Sequence, residues 1–450
     1  MRQSPFRRNL LLGLALLGSA TVGAQVASAV PERASPFRNL GVFARALAHV
    51  EMSYVDTVDQ DQLIYGAIRG MLSTVDPHST FMDPEEYRIL SSDTQGRFGG
   101  IGVEIAIQDG WLTVLSVFDD SPAARAGLQP GDRFLTIQKR DARDMRMEEA
   151  IRRMRGEPGT QVRVGIRRQG APKALEKVLT REIIQVRAVE ARVLPDRIVY
   201  VAVKAFQRDT TRELRRVIDE AVTKSRKSGG VRGVLLDLRD NAGGLLDEAI
   251  LLSDEFLSEG AIVSTRGRDG KVLNEATAHA RGTLPPWPMV VLVNGFTASA
   301  AEIVAGALHD HDRAVIIGTR TFGKGSVQNI IELPDDSALK LTVARYYTPK
   351  GRSIQAHGIE PDMTVQQLDP LKLPDALARP EQMREESLEG HLTAGSTGTS
   401  DVAPEAGRDE VRTGPGSGAE AGVSFQDDFQ ARMAHQTLRA LLAAQPQPER

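Results

Sequence analysis

The sequence contains no cysteine among its 450 residues. This absence excludes a cysteine nucleophile, a structural disulfide and a zinc site built on thiolates. It does not exclude an oxidising compartment, because a chain of this length can stabilise itself by burying apolar surface alone. With 41% hydrophobic residues, the composition predicts a globular protein of two or three domains.

The chain also lacks a strong net charge. Lys and Arg number 56 and Asp and Glu number 59, so the formal net charge at pH 7 is −3. A nearly neutral chain generates no global field that would attract nucleic acid or anionic lipid. We therefore expect no nucleic-acid partner.

Residues 1–29 have the pattern of an export signal. Arginines near the start form a basic segment, residues 10–20 are apolar, and small residues follow at 22–24 and 27–29, where a signal peptidase would cleave. The uncharged stretch 10–29 is also just long enough to span a bilayer, so an uncleaved anchor in the inner membrane is the alternative. We expect a periplasmic or otherwise exported protein.

Hydrophobic periodicity divides the rest of the chain into segments of different structure. Residues 36–90 repeat apolar side chains at helical spacing and predict a helical region. Over 96–180, short alternating apolar runs between glycines predict a compact, mostly β module. Strands and helices alternate over 183–375, which predicts βα units around a sheet that is buried on both faces.

The C-terminal part differs from all of these segments. Residues 385–424 are rich in Gly, Ser, Thr, Glu and Pro, so we expect a disordered linker. Residues 425–444 are amphipathic and predict a helix that docks on the body of the protein or on a second subunit. The predicted fold class is α/β, with a multidomain core of βα units, an inserted β module and helical arms at both ends.

The candidate nucleophile is a serine at a strand–helix junction. The apolar run 289–293 predicts a central strand, residues 294–297 turn the chain, and Ser299 stands where a helix begins. The N–H groups and the dipole of a helix N-terminus favour the negative charge that develops during acyl transfer. Taken alone, this placement is more typical of a packing or capping serine.

A lysine between two glycines shifts the interpretation toward catalysis. Lys324 lies between Gly323 and Gly325, and the glycines let the backbone approach its neighbours closely. A lysine acts as a general base only when it is neutral, and burial lowers its pKa by disfavouring the ammonium form. Gln328 can orient the amine without adding charge. The alternative, a phosphate-binding loop, lacks the flanking Walker pattern.

These two segments resemble the carboxyl-terminal processing peptidases, a family of tail-specific serine proteases. The resemblance rests on the runs Asn294-Gly-Phe-Thr-Ala-Ser-Ala-Ala-Glu and Thr321-Phe-Gly-Lys-Gly-Ser-Val-Gln328. In the family, the serine, a lysine 25 residues later and a glutamine four further on form the catalytic group, and the same spacings are present here. The resemblance implies a serine endopeptidase in which Ser299, Lys324 and Gln328 are catalytic, with no cofactor and no metal.

A further block of the resemblance concerns the oxyanion hole. The run Asp237-Leu-Arg-Asp-Asn-Ala-Gly-Gly244 is similar to a family loop whose backbone N–H helps to hold the oxyanion. Asp240 and Ala242 stand where the family more often has Asn and Pro, but the donor is a backbone group, so we expect no loss of activity. The implied donors are the N–H of Ala300 and that of Gly243 or Gly244.

The β module resembles a PDZ domain. The run Phe98-Gly99-Gly100-Ile101-Gly102 is similar to the loop with which PDZ domains bind a terminal carboxylate, and Ser121-Pro122-Ala123 and Pro130-Gly131-Asp132 are typical of the same domain. A glycine-rich turn can direct successive N–H groups toward a carboxylate while the next strand edge accepts the peptide as an added strand. The resemblance implies recognition of protein substrates by their C-termini.

The implied role is the C-terminal processing or degradation of cell-envelope proteins, with a homo-oligomer or an adaptor protein as further partners to consider. Two other functions are alternatives at this stage. One is a non-catalytic binder of small apolar ligands, as some relatives with this fold are, and the other is a PDZ scaffold with a vestigial protease body. The presence of Ser299, Lys324 and Gln328 together argues against the binder.

Two other features have ordinary structural interpretations. Arg155 ends the helix predicted within the β module, and we expect it to cap that helix rather than to pair with the substrate or couple the module to the protease body. The run His309-Asp310-His311-Asp312 has the composition of a metal site but no evident distant ligand. We therefore expect no metal there.

Overall fold

The structure is a computed structural model that describes residues 36–143, 145–171, 173–367, 384–388, 390–392, 425 and 428–444. The chain divides into two compact units, Met1–Gly70 and Met71–Arg450. The predicted signal peptide or anchor at 1–29 lies outside the described residues. No helix in the described ranges is both long enough and apolar enough to cross a bilayer.

The N-terminal region is helical, as its apolar periodicity predicts. Helix α1 spans Pro36–Ser53 and α2 spans Gln60–Ser73. After the short strand β1 (Thr80–Met82), helix α3 spans Pro84–Thr94. Its first turn is closed by Asp83, whose carboxylate accepts the N–H of Glu86 at 2.9 Å.

The β module comprises antiparallel strands and two short helices. The elements are β2 (Arg97–Gly100), β3 (Val103–Gln108), β4 (Trp111–Val117), α4 (Pro122–Arg125), β5 (Arg133–Ile137), β6 (Arg140–Asp141), α5 (Met147–Met154), β7 (Gln161–Arg167), β8 (Leu175–Thr180) and β9 (Glu182–Gln185). The main sheet has the order β3-β4-β5-β7-β8, with β6 on β5, while β2 pairs with β9. Strand β3 is therefore an edge strand, with one side available for an added peptide strand.

The second large domain is built on a six-stranded sheet of order β10-β11-β12-β15-β16-β19. Its strands are β10 (Val189–Val193), β11 (Ile198–Val203), β12 (Gly233–Asp237), β15 (Met289–Val293), β16 (Val315–Gly318) and β19 (Met363–Thr364). From β11 to β19 neighbouring strands run parallel. The connecting helices are α6 (Thr210–Ser225), α7 (Leu246–Asp254) and α8 (Ala300–Asp310).

A second sheet completes the domain. Strands β13 (Ala261–Arg266), β14 (Val272–Thr277), β17 (Ser326–Glu332) and β18 (Ala338–Tyr347) join β1 in the order β1-β18-β13-β14, with β17 also on β18. Strand β17 begins two residues after Lys324. Strand β1, which precedes the β module, pairs with β18, and β18 pairs with β17 next to Lys324.

Both faces of the six-stranded sheet are covered, which explains the uninterrupted apolar run of β15. Alternate residues such as Val291 and Val293 belong to one core with α6, α7 and α8. Val290 and Leu292 belong to another core, against the C-terminal helix α9 (Phe429–Ala444). The amphipathic helix predicted at 425–444 thus docks on the body of its own chain.

The prediction of disorder from residue 385 is wrong at its N-terminal end. Residues Glu385–Ser387 form a turn of 3-10 helix, and the Glu385 side chain is 0% exposed. A polar composition did not indicate burial, but the carboxylate is satisfied by His78 and Gln355. Most of the remaining predicted linker lies outside the described residues.

Candidate active site

Ser299 stands between β15 and α8, where the backbone is strained. Its φ of 55° and ψ of −116° lie in a region that favours glycine. The turn before it is fixed by neighbouring loops: Thr297 Oγ1 donates to Leu238 O at 2.8 Å, and the Ala298 N–H donates to Asn241 O at 2.9 Å. The strain therefore persists because the surroundings determine the conformation, as at other functional turns.

A buried carboxylate connects the serine segment to the lysine loop. Glu302 Oε2 accepts the N–H of Ser299 at 2.8 Å and the N–H of Lys324 at 2.9 Å. Its Oε1 accepts the N–H of Gly323 at 2.8 Å and the hydroxyl of Thr321. Burial raises the pKa of Glu302 to about 7, and these four hydrogen bonds oppose the rise. The two segments that carry Ser299 and Lys324 thus share one anchor.

Lys324 lies in an environment that favours its neutral form. Burial, and then the neighbouring Lys340 ammonium, lower the pKa of Lys324 to about 8. The negative charges of Glu385, Glu302 and Asp76 oppose this change. An amine with this pKa is partly neutral near pH 7–8, as a general base requires.

In this structure, the predicted catalytic side chains are not linked to one another by hydrogen bonds. Within the described ranges, no hydrogen bond joins the side chains of Ser299, Lys324 and Gln328. The amide nitrogen of Gln328 instead donates to Ser326 Oγ at 2.8 Å and to Thr342 Oγ1 at 3.4 Å. Hydrogen bonds between catalytic side chains often form only in the substrate complex, so this geometry is compatible with catalytic roles for Ser299, Lys324 and Gln328.

The glycine loop lies directly against Ser299. A Cβ added at Gly243 would approach Ser299 Cβ to 2.9 Å and the Ala300 nitrogen to 3.0 Å. The Gly243 N–H donates to Asn241 Oδ1 at 2.8 Å and is therefore engaged. The Ala300 N–H belongs to the first helical residue, where no intrahelical carbonyl is available. The backbone of Gly244 lies close to Phe206, because a Cβ added at Gly244 would lie 2.1 Å from the carbonyl oxygen of Phe206.

The predicted carboxylate loop lies at the start of the edge strand β3. Gly102 has a φ of 77°, and a Cβ there would lie 2.3 Å from Ser121 Cβ, so only glycine fits. The carbonyls of Ile101 and Gly102 accept the N–H groups of Ala123 and Phe118 at 2.8 and 3.0 Å. Gly100 pairs with Glu182 in the β2–β9 ladder. These contacts fix the loop from Phe98 to Gly102.

Arg155 stands at the C-cap of its helix, as the sequence predicts, and its side chain also contacts residues outside that helix. Its guanidinium lies 4.2 Å from the ring centroid of Phe98 and 2.7 Å from Asp93 Oδ1. Asp93 belongs to α3, outside the β module. The arginine thus connects the helix of the module, the carboxylate loop and the preceding helix.

The acidic and histidine-rich run at the end of α8 has structural partners. His309 Nε2 lies 3.1 Å from Asp362 Oδ1, Asp310 accepts the Lys350 N–H at 2.9 Å, and His311 Nε2 contacts Ala261 O at 2.7 Å. In the described part of the chain, no three or more His, Cys, Asp or Glu side chains cluster so that they could hold a metal ion.

Glu302 is the main site residue that the sequence analysis missed. It stands three residues after Ser299, so the pair has the S-x-x-E pattern of a capping box. That pattern could have indicated the contact to the Ser299 N–H. It could not have indicated the contact to Lys324, which depends on tertiary structure.

Comparisons with known proteins agree with this organisation. A model of peptidase family S41 matches residues 197–365, a PDZ domain model matches 113–168, and a model of the N-terminal domain of the activating protease CtpB matches 18–86. A carboxy-terminal-processing protease of Bartonella bacilliformis is 40% identical over 427 residues, covering 95% of this chain and 94% of that protein.

Two further relatives carry similar names. The carboxy-terminal processing protease CtpA of Bacillus subtilis is 35% identical, covering 73% of this chain and 70% of that one. A solved photosystem II D1 C-terminal processing protease is 30% identical, covers 72% of this chain and 92% of its own, and gives a TM-score of 0.45. On the sequence relationships, this chain belongs to the carboxy-terminal processing proteases of peptidase family S41 and is a serine-type peptidase with a PDZ domain.

Proposed function

We propose that this peptidase is exported, binds the C-terminus of a protein substrate through its PDZ domain and cleaves the chain with a Ser299–Lys324 dyad. The observation that carries the proposed dyad is the Glu302 carboxylate, which accepts the backbone N–H groups of both residues. The lowered pKa of Lys324 supports its role as base.

The proposed reaction is acyl transfer through a covalent intermediate. The neutral Lys324 amine accepts the hydroxyl proton as Ser299 Oγ attacks the scissile carbonyl carbon. The tetrahedral intermediate collapses with cleavage of the C–N bond, and the Lys324 ammonium gives its proton to the leaving amine. Lys324 then accepts a proton from water as the water attacks the ester. Collapse of this second intermediate, with proton return to Ser299 Oγ, releases the acid.

The oxyanion donors in this proposal are the N–H groups of Ala300 and Gly244. Ala300 is the first residue of α8, and Gly243 is disfavoured because its N–H already donates to Asn241. Gln328 would orient the amine through its amide oxygen, since its amide nitrogen is engaged with Ser326 and Thr342. This oxygen would accept a hydrogen bond from Lys324 Nζ.

Export and the substrate class rest on the sequence. The signal pattern of residues 1–29 favours delivery to the periplasm or, if it is not cleaved, anchoring in the inner membrane. Proteins of the cell envelope are then the available substrates. The PDZ loop from Phe98 to Gly102 and the free edge of β3 support recognition of a terminal carboxylate.

Active-site labelling tests the dyad and separates the enzyme from a binder or a scaffold. A peptidyl phosphonate should label the wild-type protein on Ser299, located by mass spectrometry, and should not label Ser299→Ala. Lys324→Ala should react at least about 100-fold more slowly, because the serine loses its base. Labelling at another serine, or unchanged labelling of Lys324→Ala, would disprove the dyad.

A further inference from the structure

A short segment from outside the S41-matched region packs against the lysine loop. The match ends at residue 365, whereas Glu385 belongs to the 3-10 turn Glu385–Ser387. The Glu385 N–H donates to Phe322 O at 3.2 Å, two residues before Lys324. The next residue, Glu386, pairs with Arg320 at the start of the same loop. Residues 384–388 are called the strap below.

The buried end of the strap is the Glu385 carboxylate. Its two oxygens lie 2.8 and 2.7 Å from His78 Nε2, and its Oε1 also accepts the Gln355 amide N–H at 2.7 Å. An isolated carboxylate is costly to bury, so these partners are needed to hold it there. With Glu385 ionised, the carboxylate can only accept, so His78 Nε2 is the donor in this contact.

Gln355 transmits this contact to the backbone beside Lys324. Its side chain is 0% exposed, and its Oε1 accepts the Gly325 N–H at 3.0 Å. The backbones of Gly325 and Gln355 are in close contact, because a Cβ added at Gly325 would lie 2.3 Å from the backbone nitrogen of Gln355. The lysine loop is thus held from one side by Glu302 and from the other by Glu385 through Gln355.

The charges that surround Lys324 come from four elements. Lys340 lies on β18, Asp76 precedes β1, Glu302 lies on α8 and Glu385 lies on the strap. Asp76 is itself held by the N–H groups of His78 and Ser79, at 2.8 Å each. Among the residues that the structure describes, Glu385 is the one of these groups that follows the S41-matched region, whereas Asp76 precedes it and falls in the match to the CtpB N-terminal domain.

We propose that Glu385 is a positioning residue for the general base: it holds the Lys324 loop through Gln355 and supplies a negative charge beside the amine. The inference rests on the proposed dyad. Removal of the charge should disfavour the ammonium form of Lys324, and loss of the contact should loosen the loop that carries it.

The test compares pH profiles of kcat/KM for Glu385→Gln and for Glu386→Gln, a matched neighbour whose carboxylate faces Arg320 instead. For Glu385→Gln we expect the acid limb to move down by about 0.5–1 pH unit, with a lower plateau. Glu386→Gln loses the ion pair with Arg320 but none of the charges that act on Lys324, so its acid limb should stay at the wild-type pH. Glu385→Asp keeps the charge but shortens the reach, so its plateau should fall while its acid limb stays in place.

If Glu385 had a purely structural role, its replacement would lower the amount of folded enzyme without moving the acid limb. Circular dichroism and phosphonate titration measure that amount. The proposal is overturned if Glu385→Gln keeps the wild-type limb, or if its plateau per folded enzyme stays within about twofold of the wild type. If Glu385→Gln does not fold, an unchanged plateau for Glu385→Asp overturns the proposal. Lys324→Ala, measured in parallel, distinguishes failure of this proposal from failure of the proposed dyad. Peptidase activity in that variant would show that Lys324 is not the general base.

Discussion

The carboxylate of Glu302 and the backbone N–H of Lys324 are joined by a hydrogen bond of 2.9 Å, although 22 residues separate them in the chain. The same oxygen accepts the Ser299 N–H at 2.8 Å. A displacement of either segment therefore breaks a hydrogen bond to a group that is 0% exposed, where an unpaired polar atom is costly. Glu302 thus couples the position of the candidate nucleophile to that of the candidate base.

Glu302→Gln tests this coupling. The amide keeps the size of the side chain, but its NH₂ group would face N–H donors in either orientation. Either the contacts to Ser299 and Lys324 or the contact to Gly323 must therefore break. We expect kcat/KM to fall at least about tenfold in the folded protein, because small displacements of reacting groups are costly. Asp310→Asn is the matched control, since Asp310 is a buried carboxylate at the opposite end of α8. Equal kcat/KM in Glu302→Gln and the wild type would contradict the coupling.

The pH dependence of activity follows from the environment of Lys324. Burial lowers the pKa of this amine to about 8, so kcat/KM should fall as pH decreases through about 8. Lys340 contributes to the lowering through its positive charge. Lys340→Gln should therefore move the acid limb to higher pH, opposite to the shift expected for Glu385→Gln. A limb near the ordinary lysine value of about 10.4 would show that Lys324 is not desolvated.

Lys324→Met should separate activity from stability. The native pKa lies below the ordinary value, so folding is opposed most strongly below pH 8, where the folded state must carry a buried charge. The penalty fades as pH rises from about 8 toward 10.5. Replacement by Met should abolish peptidase activity yet stabilise the protein on the order of 2 kcal/mol at pH 6, and by less at pH 10. Chemical denaturation at both pH values measures this difference.

The sequence predicted those parts of the fold that depend on local pattern. The run from Met289 to Val293 is uninterruptedly apolar because both faces of its strand are covered, and this pattern predicted a central strand. The resemblance to the carboxyl-terminal processing peptidases, which includes the spacing of Ser299 and Lys324, indicated the candidate site. The contacts of Glu302 and Glu385 with the lysine loop were not predictable, because they join segments that have no periodic relation in the sequence.

Arg155 and Glu385 illustrate a second limit of sequence reasoning. Arg155 stands at the end of a predicted helix, which favoured a helix cap, and Glu385 stands in a polar segment, which favoured disorder. In the structure, Arg155 stacks on Phe98, and Glu385 finds buried partners in His78 and Gln355. The physical cause in each case is a specific tertiary contact, which composition does not encode.

The C-terminal helix should stabilise the protein by covering one face of the six-stranded sheet. Leu438 is 0% exposed and belongs to one core with Leu235 and Val290. We expect Leu438→Ala to lower the free energy of unfolding by about 2–4 kcal/mol, since a large buried side chain is lost. Gln436→Ala, at an exposed position of the same helix, is the control. Equal denaturation midpoints for the two variants would show that the helix is not docked in solution.

The carboxylate loop of the PDZ domain should determine KM for protein substrates with a free C-terminus. A Cβ at Gly102 would clash with Ser121, and its φ of 77° is unfavourable for alanine, so Gly102→Ala should distort the loop. Gly110→Ala is a matched control, because Gly110 has a similar φ of 76° but no atom within 4 Å of the added Cβ.

With wild-type enzyme, amidation of the substrate C-terminus, or a charged terminal residue, should raise KM, because the loop loses its carboxylate or its apolar side-chain contact. Gly102→Ala should show a high KM for the free, amidated and charged substrates alike, since docking no longer raises the local concentration of the chain near Ser299. Gly110→Ala should preserve the preference for the free, apolar terminus. Equal cleavage of all three substrates by the wild-type enzyme would exclude the PDZ domain from substrate selection.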